Sequence, residues 1–340
     1  MTTNPQERGW GSVATGLLQR HGALIALVVL AAYCAWAKEN FLSWGNLTNV
    51  LRQASTAGII AVGMTFVISL GGIDLSVGSA VAFIGGVGVL TLNRCMTWNP
   101  EGETIAVAAA YAVCLLLGPA LGLLTGLLIT KGRLAPFIAT LGGMAAYRSA
   151  ALSLADGGEY RSATRAFEFL GAGELALPLL SDAGGDPVRV GYPVLAWAAM
   201  VVVGLLLLNR SRYGRYVLSI GANEQAAIYS GVPVERVKAA TYTLCGACCG
   251  LAALLNASRL NSVSSSGTGT LLELDAIAAV VIGGTRMEGG RGMILGTVVG
   301  VLLLAVINNV LNFTNVSPYL HGLIKGGIIV AAVLAQRERR

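Results

Sequence analysis

Charge is scarce in this chain. Asp, Glu, Lys and Arg make up 12% of its 340 residues, about half the share of an ordinary soluble domain. A water-exposed globule of this length would lack the polar side chains to cover its surface and is excluded. Histidine is nearly absent as well: His21 and His321 are far apart and show no metal-ligand spacing. No G-x-x-x-x-G-K-[ST] stretch occurs, so the chain carries no recognisable phosphate loop for ATP hydrolysis. No glycine cluster sits in a βαβ setting, which excludes a dinucleotide fold. No grouping of nucleophile, base and polarising residue stands out. These absences point away from an enzyme and toward transport.

What is abundant is apolar. Hydrophobic residues reach 55%, there are 45 glycines, and mean hydropathy is +0.70. Crossing a hydrocarbon core takes roughly 20 apolar residues in a helix, and transmembrane helices carry more glycine than soluble ones. Apolar runs fall at 22–37, 105–130, 191–208, 239–257 and 293–311, with 136–154 and 319–335 each interrupted by one charge, Arg148 and Lys325. The run 54–92 is too long for one span and divides into two helices at Gly71-Gly72-Ile73-Asp74-Leu75-Ser76-Val77-Gly78. A short run, 276–284, completes an all-α polytopic membrane fold of about ten helices in contact with lipid. Ala35-Trp36-Ala37 resembles a cleavage site, but the many spans that follow favour an uncleaved first helix.

Basic residues orient the bundle. With ten spans and a cytoplasmic N-terminus, the inner segments hold Arg8, Arg20, Lys131, Arg133, Arg210, Arg212, Arg215, Arg236, Lys238, Arg286, Arg291, Arg337, Arg339 and Arg340. The outer segments hold Lys38, Arg52, Arg94, Arg161, Arg165, Arg189 and Arg259. That twofold excess obeys the positive-inside rule, whereas nine spans would export the basic tail. The net charge of +6 therefore calls for no nucleic acid. The expected layout is a cytoplasmic segment 1–21, a transmembrane domain 22–335 and a cytoplasmic tail 336–340. The domain includes an external acidic loop at 155–190 and a basic cytoplasmic loop at 209–238.

Several polar exceptions are candidate functional residues. Asp74 either caps the helix that follows it, meeting free N–H groups and the positive dipole end, or binds a proton in a secondary transporter. Arg148 and Lys325 are intramembrane charges that either pair with carboxylates or carbonyls or snorkel to an interface. The inner loop holds a short helix around residues 223–230, framed by Gly221 and Gly231 and followed by Pro233. It reads either as a docking knob for a soluble partner or as an ordinary loop. Cys245, Cys248 and Cys249 superficially resemble a thiolate site, but their apolar span favours close helix packing.

Three blocks in order resemble the ribose-type permeases of ABC importers: Gly63 through Ser79, with Gly71, Gly72, Asp74, Ser76 and Gly78; Gly214-Arg215-Tyr216, followed by Gly221 to Ala227 and Ser230-Gly231-Val232; and Glu273 through Thr285, continuing to Gly289-Gly290-Arg291-Gly292. The likeness runs from about residue 45 to the C-terminus. It implies a bacterial inner-membrane subunit without a cofactor of its own. ATP would be hydrolysed by a cytoplasmic ABC ATPase subunit, a periplasmic sugar-binding protein would deliver substrate, and a second permease, in a homodimer, would complete the path. It further implies that Gly221, Asn223, Glu224, Gln225, Ala226, Ala227 and Gly231 form the ATPase-coupling region. Gly71, Gly72, Gly78, Gly283, Gly284, Gly289 and Gly290 are candidate breaks and flex points, because glycine relaxes the restriction on φ.

Overall fold

The computed structural model describes residues 10–37, 41–181, 185, 187–314, 317, 320, 322–324 and 326–327. Helices α1 (Trp10–Ala37), α2 (Trp44–Ser69), α3 (Val77–Trp98), α4 (Glu103–Thr130) and α5 (Pro136–Leu154) form the first half. A loop bearing α6 (Phe169–Ala172) leads to α7 (Tyr192–Asn209). Two helices not long enough to span, α8 (Arg212–Ala222) and α9 (Glu224–Tyr229), precede α10 (Val234–Leu260), α11 (Leu272–Ile282) and α12 (Ile294–Phe313).

Helix α10 is the hub, packed against α2, α3 and α4. Against α4 it can come close because the two helices present almost no side chain along their seam. A β-carbon on Gly118 would lie 2.5 Å from the Gly246 carbonyl oxygen, and one on Gly122 would lie 2.3 Å from that of Tyr242. Such small-residue seams let helices approach in lipid, where hydrophobic burial gives no drive for association. Cys245, Cys248 and Cys249 are buried within the same core. A β-carbon on Gly63 would fall 3.0 Å from the Cys248 sulfur. These thiols fill space between helices, as their apolar setting suggested.

Six helices, α2, α3, α4, α7, α10 and α12, are long and apolar enough to cross a bilayer. The expected count of about ten is therefore not reached among the described residues. The apolar part of α1, Gly22–Ala37, is shorter. Helix α5 has 19 residues with Arg148 inside it, and α11 has 11. The candidate at 319–335 lies mostly outside the described residues, and Lys325 wholly so.

The all-α expectation also misses four short strands. β1 (Glu159–Arg161) pairs antiparallel with β4 (Ser262–Ser264), and β2 (Glu174–Ser181) pairs with β3 (Pro187–Gly191). Both pairs gather at one end of the bundle, where Arg52 of α2 meets Glu174 and the Asn93 amide of α3 donates to the Arg161 carbonyl at 2.8 Å. The opposite end carries Lys131 paired with Glu235 at 3.0 Å and Lys238 with Glu224 at 2.7 Å.

Candidate functional site

The glycines singled out at the helix breaks have two different physical reasons to be glycine. Gly71 and Gly284 have φ of +86° and +91°, and each follows a helix end. Gly71 N–H donates to Ile68 O at 2.9 Å and Gly72 N–H to Val67 O at 2.9 Å; Gly284 and Thr285 bond in the same way to Val281 and Val280. This is the double bond of a Schellman cap, whose left-handed residue is usually glycine. Gly231, with φ +76°, ends α9 by the same bonds to Ile228 and Ala227. Gly78 and Gly283 are glycine because backbone crosses them. A β-carbon there would lie 2.3 Å from the Gly269 carbonyl oxygen and 2.3 Å from the Gly296 carbonyl carbon, respectively.

Asp74 lies in the turn between α2 and α3. Its Oδ1 accepts from the Ser76 N–H at 2.9 Å and the Ser76 hydroxyl at 2.6 Å. Ser76 is the residue before α3 and makes no side-chain cap of its own. The carboxylate thus braces the approach to the helix rather than bonding the N–H groups of its first turn. The Ser76 carbonyl in turn receives Ala80 N–H at 2.8 Å.

The break also forms a junction with two distant segments. Gly290 N–H donates to Ser69 O at 2.9 Å. A β-carbon on Gly221 would fall 2.0 Å from Ser69 O and 2.5 Å from Gly290 N. Gly289, with φ +90°, would place one 2.9 Å from Gly71 N. The ends of α2 and α8 and the loop after α11 therefore touch main chain to main chain. Just beyond Gly221, Asn223 caps α9 by accepting Ala226 N–H at 3.0 Å. On α9 only Ala227 is buried; Glu224, Gln225, Ala226, Ile228 and Tyr229 are exposed. Exposed Ile228 and Tyr229 give this projection an apolar tip that composition did not single out. Helix α8 is likewise new, and anchors the projection by burying Val217 and Ile220 beside Phe66 and Leu70 of the α2 end.

Arg148 has its partners resolved. Its guanidinium donates to the carbonyls of Ser265 and Thr268, both at 2.9 Å, and of Ser266 at 3.3 Å. It ties α5 to the irregular segment before α11. That segment is one wall of an open-sided cavity of about 380 Å³, whose other walls are α2, α3, α10, α11 and α12. Its polar lining includes Gln53, Thr56, Asn256, Arg259, Asp275 and Asn308. Asn309, which also lines it, is locked to Asn46, each amide donating to the other at 2.9 and 3.3 Å. None of these lining residues was legible beforehand, because they are single polar positions scattered over four helices. The one available signal was polarity recurring on otherwise apolar runs.

Set beside known proteins, the chain is 38% identical over 324 residues to the ribose import permease protein RbsC of Escherichia coli K12, covering 95% of both chains. It is 33% identical over 324 residues to the L-arabinose ABC transporter permease protein AraH of Azospirillum brasilense, covering 95% of this chain and 89% of that one. It is 30% identical over 381 residues to the xylose transport system permease protein XylH of E. coli K12, covering 97% and 94%. No solved structure matches it. A family profile described as "Branched-chain amino acid transport system / permease component" spans residues 46–333, and with apolar helices and relatives of this kind the chain belongs to that family of membrane transport permeases.

Proposed function

We propose that the chain is the transmembrane permease subunit of an ATP-driven, binding-protein-dependent importer in the bacterial inner membrane, passing a sugar such as ribose or another pentose, hexose or polyol. The substrate class follows the relatives, three of which are named for ribose, arabinose and xylose. Its partners are a cytoplasmic ABC ATPase, a periplasmic binding protein and a second copy of the permease. In this reading ten passes place both termini in the cytoplasm, with α9 facing the ATPase and the strand-bearing loops facing the binding protein.

The observation that carries the mechanism is the junction of Ser69, Gly221 and Gly290. Closure of the ATPase dimer would press on α9, and the adjoining main chain would pass the displacement to the ends of α2 and α11. Those ends are the glycine-capped breaks, where backbone rotation is least hindered. A proton-coupled path through Asp74 has less support, because Asp74 Oδ1 already holds the α3 approach.

The test is a Glu224→Ala, Gln225→Ala double variant, assayed with the ATPase and binding protein in liposomes. Membrane levels should stay normal while ATP-driven pentose uptake falls by at least about tenfold, the loss of roughly 1.4 kcal/mol of coupling. Full uptake in that variant would refute the docking role of α9.

A further inference from the structure

Hydroxyl groups in the helices of this bundle are generally bonded back to their own helix. Ser55 donates to Leu51 O, Thr65 to Ala61 O, Thr125 to Leu121 O and Thr241 to Val237 O, all between 2.7 and 3.1 Å. Asn309 is engaged with Asn46. Around the 380 Å³ cavity the pattern holds only in part: Gln53 donates to Asn49 at 3.1 Å and Thr270 to Ser266 O at 3.0 Å, but other lining groups have no such partner. Thr56, Asn256 and Asn308 line it, yet among the described residues none of their side chains makes a hydrogen bond. Arg259 lines it too, and its buried Nε–H has no acceptor among the described residues. A buried N–H left unbonded is costly, and Thr56, Asn256 and Asn308 are only half-buried, as polar groups facing a water-filled or solute pathway through apolar helices would be.

We infer that this cavity is a holding site for a neutral polyhydroxylated solute on its way through the permease, with Thr56, Asn256 and Asn308 reading its hydroxyls. The inference rests on the sugar-importer reading above and deepens it, placing part of the substrate selection in the permease itself. The chemistry fits. Amides and hydroxyls each offer both a donor and an acceptor, the complement of a sugar hydroxyl, while Arg259 adds donors. The volume falls in the range of small-molecule sites. The apolar remainder of the lining, such as Val81, Val301 and Leu304, suits the C–H faces of a sugar ring.

The experiment uses the permease assembled with its ATPase and binding protein in liposomes, with labelled D-ribose, L-arabinose and D-xylose as probes and L-leucine as the counter-probe. Asn256→Leu and Asn308→Leu should each lower the maximal uptake rate roughly three- to tenfold, the value of one lost hydrogen bond. The KM set by the binding protein should not move. Thr56→Val, nearly unchanged in shape and so safe for folding, should give a smaller loss and alter the ribose-to-xylose ratio, which a purely structural effect would leave alone. ATPase co-purification verifies assembly, and a leucine variant that fails to assemble leaves the decision to Thr56→Val. Wild-type rates and ratios in every assembled variant would overturn the site while leaving the importer reading intact. A wild-type complex that accumulates leucine and none of the sugars would overturn both.

Discussion

Gly72 and Tyr242 meet at a single atom. The Tyr242 hydroxyl is buried without a hydrogen-bond partner among the described residues, and a β-carbon on Gly72 would lie 2.4 Å from it but 3.5 Å from the ring carbon that bears it. The collision therefore belongs to the oxygen alone. Gly72→Ala should destabilise the protein by about 1–3 kcal/mol, the usual range for overpacking. Tyr242→Phe should be neutral or slightly stabilising, since it deletes an unsatisfied polar group. Combined, the two should restore most of the loss. Thermal unfolding in detergent across this double-mutant cycle measures the coupling; additive effects would show that the hydroxyl moves aside. At this scale the glycines were legible because helix ends with φ above zero call for glycine. The reason for Gly72 was not, because Tyr242 comes from a helix far along the chain.

Helices α4 and α10 depend on an absence of side chains along their seam. Gly122→Val would drive a branched side chain into the Tyr242 carbonyl, and misassembly or a sharply lowered unfolding temperature is expected. Gly142 on α5 has nothing within 4 Å of its would-be β-carbon. There Gly142→Ala should stabilise by up to about 1 kcal/mol through helix propensity alone. If both substitutions behaved alike, the seam would not be the determinant. The long helices were readable from apolar run length, and α9 from its flanking glycines. The strand pairs were not, because three-residue strands such as β1 and β4 have too little periodicity to register. The short run 276–284 counts toward the ten expected spans, whereas α11 has only 11 residues and is not among the helices long enough to cross a bilayer. Arg148 secures the irregular segment before it by bonding three carbonyls.

For the whole molecule, the two ends differ in the elements they carry. Strands, Arg52, Asn93 and the acidic loop gather at one end; Lys131, Glu235, Lys238 and α9 gather at the other. In intact cells lacking the native Cys95, a cysteine at Gly157 should react with a membrane-impermeant maleimide, and one at Ser211 should react only after permeabilisation. The opposite labelling would invert the proposed orientation; equal labelling would place both loops on one side. The junction of Ser69, Gly221 and Gly290 has one more consequence at this scale. It is made of neutral main chain, with no rotamer to slip, no charge to screen and no proton to lose. Force delivered at α9 would reach the helix ends with little mechanical backlash, and the stroke per ATP should hold constant as salt and pH change, even where surface ion pairs such as Lys131–Glu235 weaken.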